Sequence, residues 1–161
     1  MSRRRLVPAP AAKMEAVQHL RDNSFGRLLF KASRAYSEAA MARVRAAGHP
    51  DLTIAHASIL PHIDIAGSRL TTISERAGMT KQSASELVSG LEKKGYVERK
   101  PDPADKRAQL VAFTAKGENF LLSAFAAKTA LEQNLIDRLG VNRAELLTRL
   151  LREYVDGLKD A

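Results

Sequence analysis

Residues 71–97 read TTISERAGMTKQSASELVSGLEKKGYV, and one glycine near the middle sets what this stretch can become. Thr72 followed by Glu75 has the spacing of a capping box, which predicts a short helix starting at Ile73. Gly78 falls where a helix ends in a left-handed turn, a conformation glycine enters without steric cost. Thr80 can then cap a second helix by accepting from the amide of Gln82 or Ser83. In that helix Ala84, Leu87, Val88 and Leu91 make one apolar stripe at three- and four-residue steps. Lys81, Gln82, Ser83, Ser85, Glu86 and Ser89 fall mostly off the stripe. Two short helices joined through a glycine turn form a helix-turn-helix.

The chain continues as VERKPDPADKRAQLVAFT over residues 97–114. Alternating residues predict two strands, about Val97–Lys100 and Ala108–Phe113, paired as a ribbon with one face packed down. The charged loop between them reads as longer than a tight hairpin turn, with Pro101 and Pro103 restricting its conformations. A stiff basic hairpin directly after the second helix makes the unit a winged helix-turn-helix.

Helical segments flank this centre. Residues 1–23 read as a basic arm, helical from about Ala11, with Arg3–Arg5 either a DNA-backbone or minor-groove arm or, the favoured reading, a solvated tail. From Ser24 to Ala47, Phe25, Leu28, Leu29, Ala32, Tyr36, Ala39, Ala40 and Val44 recur with helical periodicity, up to Gly48 and Pro50. A helix over about Thr53–Asp64 should kink or stop early at Pro61. Thr114 can cap a long helix to Leu139, where Gly140 ends it. Asn142 and Glu145 suggest another capping box before a last helix to about Lys159, with an apolar stripe of Leu147, Leu150, Leu151, Tyr154 and Leu158. The terminal helices carry more apolar surface than the central unit can cover, which points to a second copy of the chain and a twofold dimer. The expected fold is mainly α with a small β-wing: a winged helix-turn-helix core flanked by N- and C-terminal dimerisation helices. The divisions are an arm over 1–23, a dimerisation layer over 24–50 and 114–161, and a DNA-binding domain over 51–113.

With 26 Lys and Arg against 18 Asp and Glu in 161 residues, the net charge of +8 points to a polyanionic partner such as nucleic acid, or to a membrane surface. Cysteine is absent, which excludes thiolate catalysis, thiol redox sensing, disulfides and cysteine-type zinc sites. The N-terminal segment makes a poor signal peptide, and no stretch has the roughly 18 apolar residues of a membrane span, so a cytoplasmic location is expected. His19, His49, His56 and His62 lack metal-ligand spacing. No phosphate-cradling glycine loop or nucleophile–base pairing emerges, so neither a cofactor nor an enzymatic activity is expected. The rival reading is a winged helix turned to protein binding, supported by the acidic Glu86 on the reading face.

The run TTISERAGMTKQSASELVSGLEKKGYVERKPDPADKRAQLVAFTAKG resembles the MarR family of winged-helix bacterial transcription regulators. The resemblance rests on the helix–glycine–helix, the passage LEKKGYVERKPDPADKR into the wing and the strand ending in FTAKG. It implies a homodimer that binds double-stranded DNA at a pseudo-palindromic operator, usually as a repressor. It also implies release by a small, often aromatic or anionic, effector. Asp105 and Arg107 correspond to the Asp-x-Arg pair of the family's wing. That match implies that Arg107 reaches the minor groove, where a cation suits the negative potential, and that Asp105 orients the wing. Arg99, Lys100 and Lys106 are expected at phosphates. Lys81, Gln82, Ser83 and Ser85 can reach phosphates or base edges, and Gln82 has the groups to read adenine. Glu86 departs from the arginine of many relatives. Its carboxylate could accept from a cytosine amine, but pairing with a neighbouring Lys or Arg is the favoured reading. Gly90 stands where a larger polar residue is common. Tyr36, His56 and His62 are candidates to line an effector crevice.

Overall fold

Three threonines start helices in the computed structural model, which describes residues 10–159. Thr53, Thr80 and Thr114 each accept, through the side-chain oxygen, the N–H of the residue three positions on: His56 at 3.2 Å, Ser83 at 3.1 Å and Gly117 at 3.1 Å. Each satisfies one of the donors a helix leaves unpaired at its start. The helices they open are α3 (Ile54–Ile59), α5 (Lys81–Lys93) and α6 (Ala115–Leu139). The remaining helices are α1 (Pro10–Asn23), α2 (Phe25–Ala46), α4 (Leu70–Arg76) and α7 (Val141–Lys159). Pro61 has the predicted effect: α3 stops at Ile59 and passes into a 3-10 turn over Leu60–His62.

The chain divides between Ser37 and Glu38 into two units, and the boundary falls within α2. In the first unit Met14, Val17, Phe25, Leu28 and Phe30 are exposed. The second unit holds the core. Ala84, Val88 and Leu91 from the predicted stripe of α5 are fully buried there, together with Ile73 of α4, Ile59, Leu60 and Leu52. Val97, Val111, Phe113 and Phe120 join them, as do Met41 and Val44 from the end of α2. Burying each large apolar side chain stabilises the fold by about 1.5–3 kcal/mol, so the stripe alone fixes which face of α5 points inward.

Strands β1 (Ser68–Arg69), β2 (Val97–Asp102) and β3 (Asp105–Phe113) form an antiparallel sheet in the order β1-β3-β2. The sheet therefore has three strands where the sequence suggested a two-stranded ribbon. β1 pairs Ser68 with Val111 and Arg69 with Leu110. This pairing also corrects the start of α4. The chain leaves β1 directly into helix at Leu70, with Arg69 as an N-cap that makes no side-chain bond, so Thr72 and Glu75 lie inside α4. The hairpin differs as well. Its strands run on to Asp102 and Asp105, leaving only Pro103 and Ala104 between them, so the loop is a tight turn rather than a long one. Two carboxylates make this possible: Asp102 Oδ1 accepts the N–H of Ala104 at 2.8 Å, and Asp105 Oδ1 accepts that of Arg107 at 3.0 Å. Pro101 sits within β2 and pairs with Gln109, and the register shifts immediately after it. At the root of the hairpin Val111, Ala112 and Phe113 are all buried, so both faces of β3 are covered there.

Gly78 (φ 61°) turns the chain between α4 and α5, and Gly95 (φ 75°) turns it between α5 and β2. Both occupy the left-handed region that penalises other residues. α7 begins at Val141, because Gly140 ends α6 and its carbonyl already accepts the N–H of Ala144 at 3.1 Å. Asn142 therefore lies in the first turn of α7 and is not its cap.

Candidate nucleic-acid interface

With its apolar stripe buried, α5 presents Lys81, Gln82, Ser83 and Glu86 to solvent, and Ser85 is half-buried. Ser83 is tied to the cap, its hydroxyl 2.9 Å from that of Thr80. The Gln82 side-chain amide donates to Glu86 Oε1 at 3.3 Å, one helical turn away. Glu86 thus takes its hydrogen bond from Gln82 and not from a neighbouring Lys or Arg, contrary to the reading favoured from sequence. The cause is spacing: on this helix the residue four positions before Glu86 is a glutamine.

On the wing, Arg99 faces Glu92 of α5 at 3.3 Å, and Lys100 pairs with Glu98 at 2.9 Å. Such surface pairs hold little energy and open readily to another anion. Arg107 is exposed on β3, and Asp105 holds its backbone N–H. Lys106 belongs to β3, but its side chain lies outside the described residues. Between the start of α5 and the wing runs an open groove of about 530 Å³, lined by Arg69, Lys81, Arg99 and Arg107 together with Thr71 and Gln109. Among the described residues, four cationic side chains and no carboxylate line this groove.

Arg69 was not singled out from sequence, and neither was its partner. Its Nε and Nη2 lie 2.7 and 2.6 Å from Asp102 Oδ2, and Nη2 lies 3.7 Å from Asp105. The Asp102 carboxyl is held below the usual carboxylate range, first by the Ala104 amide and then by the Arg69 guanidinium. This two-point contact ties β1 to the hairpin turn, which aims the wing. The residues are 33 positions apart, and nothing local in the sequence marks them as partners.

A second polar cluster lies at the root of the wing. Tyr96, completely buried, donates its hydroxyl proton to Asp51 Oδ1 at 2.7 Å. His49 Nδ1 sits 3.2 Å from the same hydroxyl and its Nε2 3.3 Å from Ser123 Oγ on α6. Because the tyrosine proton goes to Asp51, Nδ1 of His49 is the donor in that contact. Lys116 Nζ stands 4.2 Å above the Tyr96 ring and 3.4 Å from Asp51 Oδ2. Burial, reinforced by the bond to Asp51, raises the Tyr96 phenol well above its ordinary pKa.

The three residues considered for an effector crevice have different surroundings. Tyr36 is half-exposed on α2, in the first unit. His56 is half-buried and accepts the Thr53 N–H at Nδ1 at 3.3 Å, which completes the cap of α3. Burial first, and then the nearby Lys94 charge, lowers its pKa. Its Nε2 explains Gly90: a β-carbon there would come within 2.9 Å of that atom. His62 offers its backbone carbonyl to Arg76 at 3.5 Å. Among the described residues no group of three His, Asp or Glu could hold a metal ion. No described helix is long and apolar enough to cross a membrane.

A helix-turn-helix whose second helix offers a polar face, followed by a short-turned basic hairpin in a three-stranded sheet, defines a winged helix-turn-helix protein. Comparison with known proteins agrees. A profile of the MarR family matches residues 51–108. Transcriptional regulator HosA of Escherichia coli O111:H- is 32% identical over 108 residues, covering 66% of this chain and 80% of that protein. Among solved structures, the transcriptional repressor CouR bound to a 23-mer DNA duplex superposes with a TM-score of 0.65 at 24% identity, covering 85% of this chain and 95% of that one. The PcaV transcriptional regulator from Streptomyces coelicolor, in complex with its natural ligand, gives 0.63 at 21% identity and covers 84% and 94%. The chain belongs to the MarR family, and is a DNA-binding regulator of transcription.

Proposed function

We propose that the protein acts as a homodimeric repressor on a pseudo-palindromic operator, with Lys81, Gln82, Ser83, Ser85 and Glu86 of α5 in the major groove. Arg107 enters the adjacent minor groove, Asp105 orients it, and Arg99, Lys100 and Lys106 meet phosphates. The observation that carries this reading is the groove walled by Arg69, Lys81, Arg99 and Arg107 beside the solvent-facing side of α5. Its charge suits a sugar–phosphate backbone running between helix and wing. Segments 24–50 and 114–161 form the dimerisation layer, which fits the exposed Leu146, Leu147, Leu150, Tyr154, Val155 and Leu158 of α7. Such a dimer sets two recognition helices about 34 Å apart, one turn of DNA. A regulator of transcription works where the chromosome is, in the cytoplasm of a bacterium.

Release by a small aromatic or anionic effector completes the proposal. CouR as a repressor on DNA and PcaV with its ligand make both halves reasonable for this chain. Tyr36, His56 and His62 remain the candidate effector contacts. The cap role of His56 favours Tyr36 and His62 over it. The test is a binding titration on genomic fragments at several salt concentrations with the wild type and Arg107→Ala. The variant should bind more weakly, and its salt slope should fall by about 1.8, the share of one cation from each protomer. Unchanged affinity and slope would remove Arg107 from the interface.

A further inference from the structure

Glu86, held by Gln82, places a carboxylate acceptor on the reading surface of α5. The Gln82 amide nitrogen donates one of its two hydrogens to Glu86 Oε1, which leaves the second carboxylate oxygen of Glu86 as a free acceptor on this face of α5. Both side chains are exposed in the first two turns of the helix, where recognition helices meet base edges. In the major groove the exocyclic amines of cytosine and adenine donate, whereas guanine offers only the acceptors N7 and O6. A carboxylate against guanine or against a phosphate is repelled and loses hydration without a compensating bond.

We propose that Glu86, held by Gln82, is a specificity-determining residue that selects cytosine or adenine at one position of each operator half-site and rejects guanine there. The proposal rests on the reading of α5 as the recognition helix. It adds to what Gln82 does: one amide hydrogen aims the Glu86 carboxylate, and the other hydrogen and the carbonyl oxygen remain for a base edge.

The experiment is selection from a randomised duplex library, followed by sequencing, with the wild type, Glu86→Gln, Glu86→Arg and Gln82→Ala. The wild type should enrich cytosine or adenine over guanine by roughly fivefold or more at one position per half-site. Glu86→Arg should switch that position to guanine, and Glu86→Gln should relax it. Gln82→Ala should weaken the preference without switching it, because the carboxylate remains but is no longer aimed. The exposed position of Glu86 leaves folding untouched in these variants, which a matched thermal melt verifies. If all four proteins retain duplexes with the same sequence preference, and differ only by a uniform gain in affinity on losing the negative charge, Glu86 merely tunes electrostatics and the proposal fails alone. If the wild type retains no duplex, the proposal fails together with the reading beneath it.

Discussion

A β-carbon added at Gly117 would run into the backbone carbonyl of Tyr96 and, at 2.9 Å, the ring of Phe113. Backbone cannot give way as a flexible side chain can, so Gly117→Ala should destabilise the fold by about 1–3 kcal/mol or more. Urea denaturation of the variant checks this, and a midpoint equal to the wild type's would contradict the packing. Such crowding leaves little mark on a sequence. Gly117 reads only as one residue of a predicted helix, and its neighbour Tyr96 is 21 positions away. Gly90 was legible as an oddity, a weak helix former where larger residues are common. Its cause, the His56 ring from another helix, is a tertiary fact. Glu86 gives a similar lesson: its residue type was noted, but its partner became clear only once Gln82 was seen one turn away with its amide turned inward along the helix.

At the level of elements, local chemistry was readable and long-range pairing was not. Thr80 and Thr114 cap helices where the spacing predicted, and the stripe of α5 is buried as its periodicity required. Strand β1 escaped notice because two residues carry no periodicity, and with it went the true start of α4. The hairpin appeared looser than it is because its charges and prolines resemble loop composition, although Asp102 and Asp105 are what close the turn. The brace from Arg69 to Asp102 gives the wing its direction, and its contribution is separable from direct DNA contact. Arg69→Ala and Asp102→Asn should each weaken duplex binding, and the double variant should be no worse than Arg69→Ala alone, since the lost Asp102 contact is common to both. A guanidinium acting only on phosphate would behave otherwise: Arg69→Ala would lower the salt slope of the dimer by about 1.8, and Asp102→Asn would tighten binding.

Taken as a whole, the molecule leaves a row of large apolar side chains on α7 in water, with Leu150 51% and Leu158 58% exposed. Monomeric proteins seldom tolerate so continuous a strip, and a second copy is the simplest cover. Leu150→Glu places a charge on that strip and should weaken self-association roughly tenfold or more, which sedimentation velocity over a dilution series would register. A monomeric wild type at every concentration would end the dimer proposal. The overall plan was legible because helix stripes, caps and a charged hairpin follow one another in order along the chain. The knot at Tyr96 was not, since its partners His49 and Asp51, and Lys116 and Ser123, come from two other stretches of chain. That knot has a practical consequence. Anyone transplanting a foreign DNA-reading module onto these long helices must carry residues 49, 51, 96 and 123 across as one set, because exchanging one of them takes a hydrogen-bond partner from the buried Tyr96 hydroxyl or the buried His49 ring.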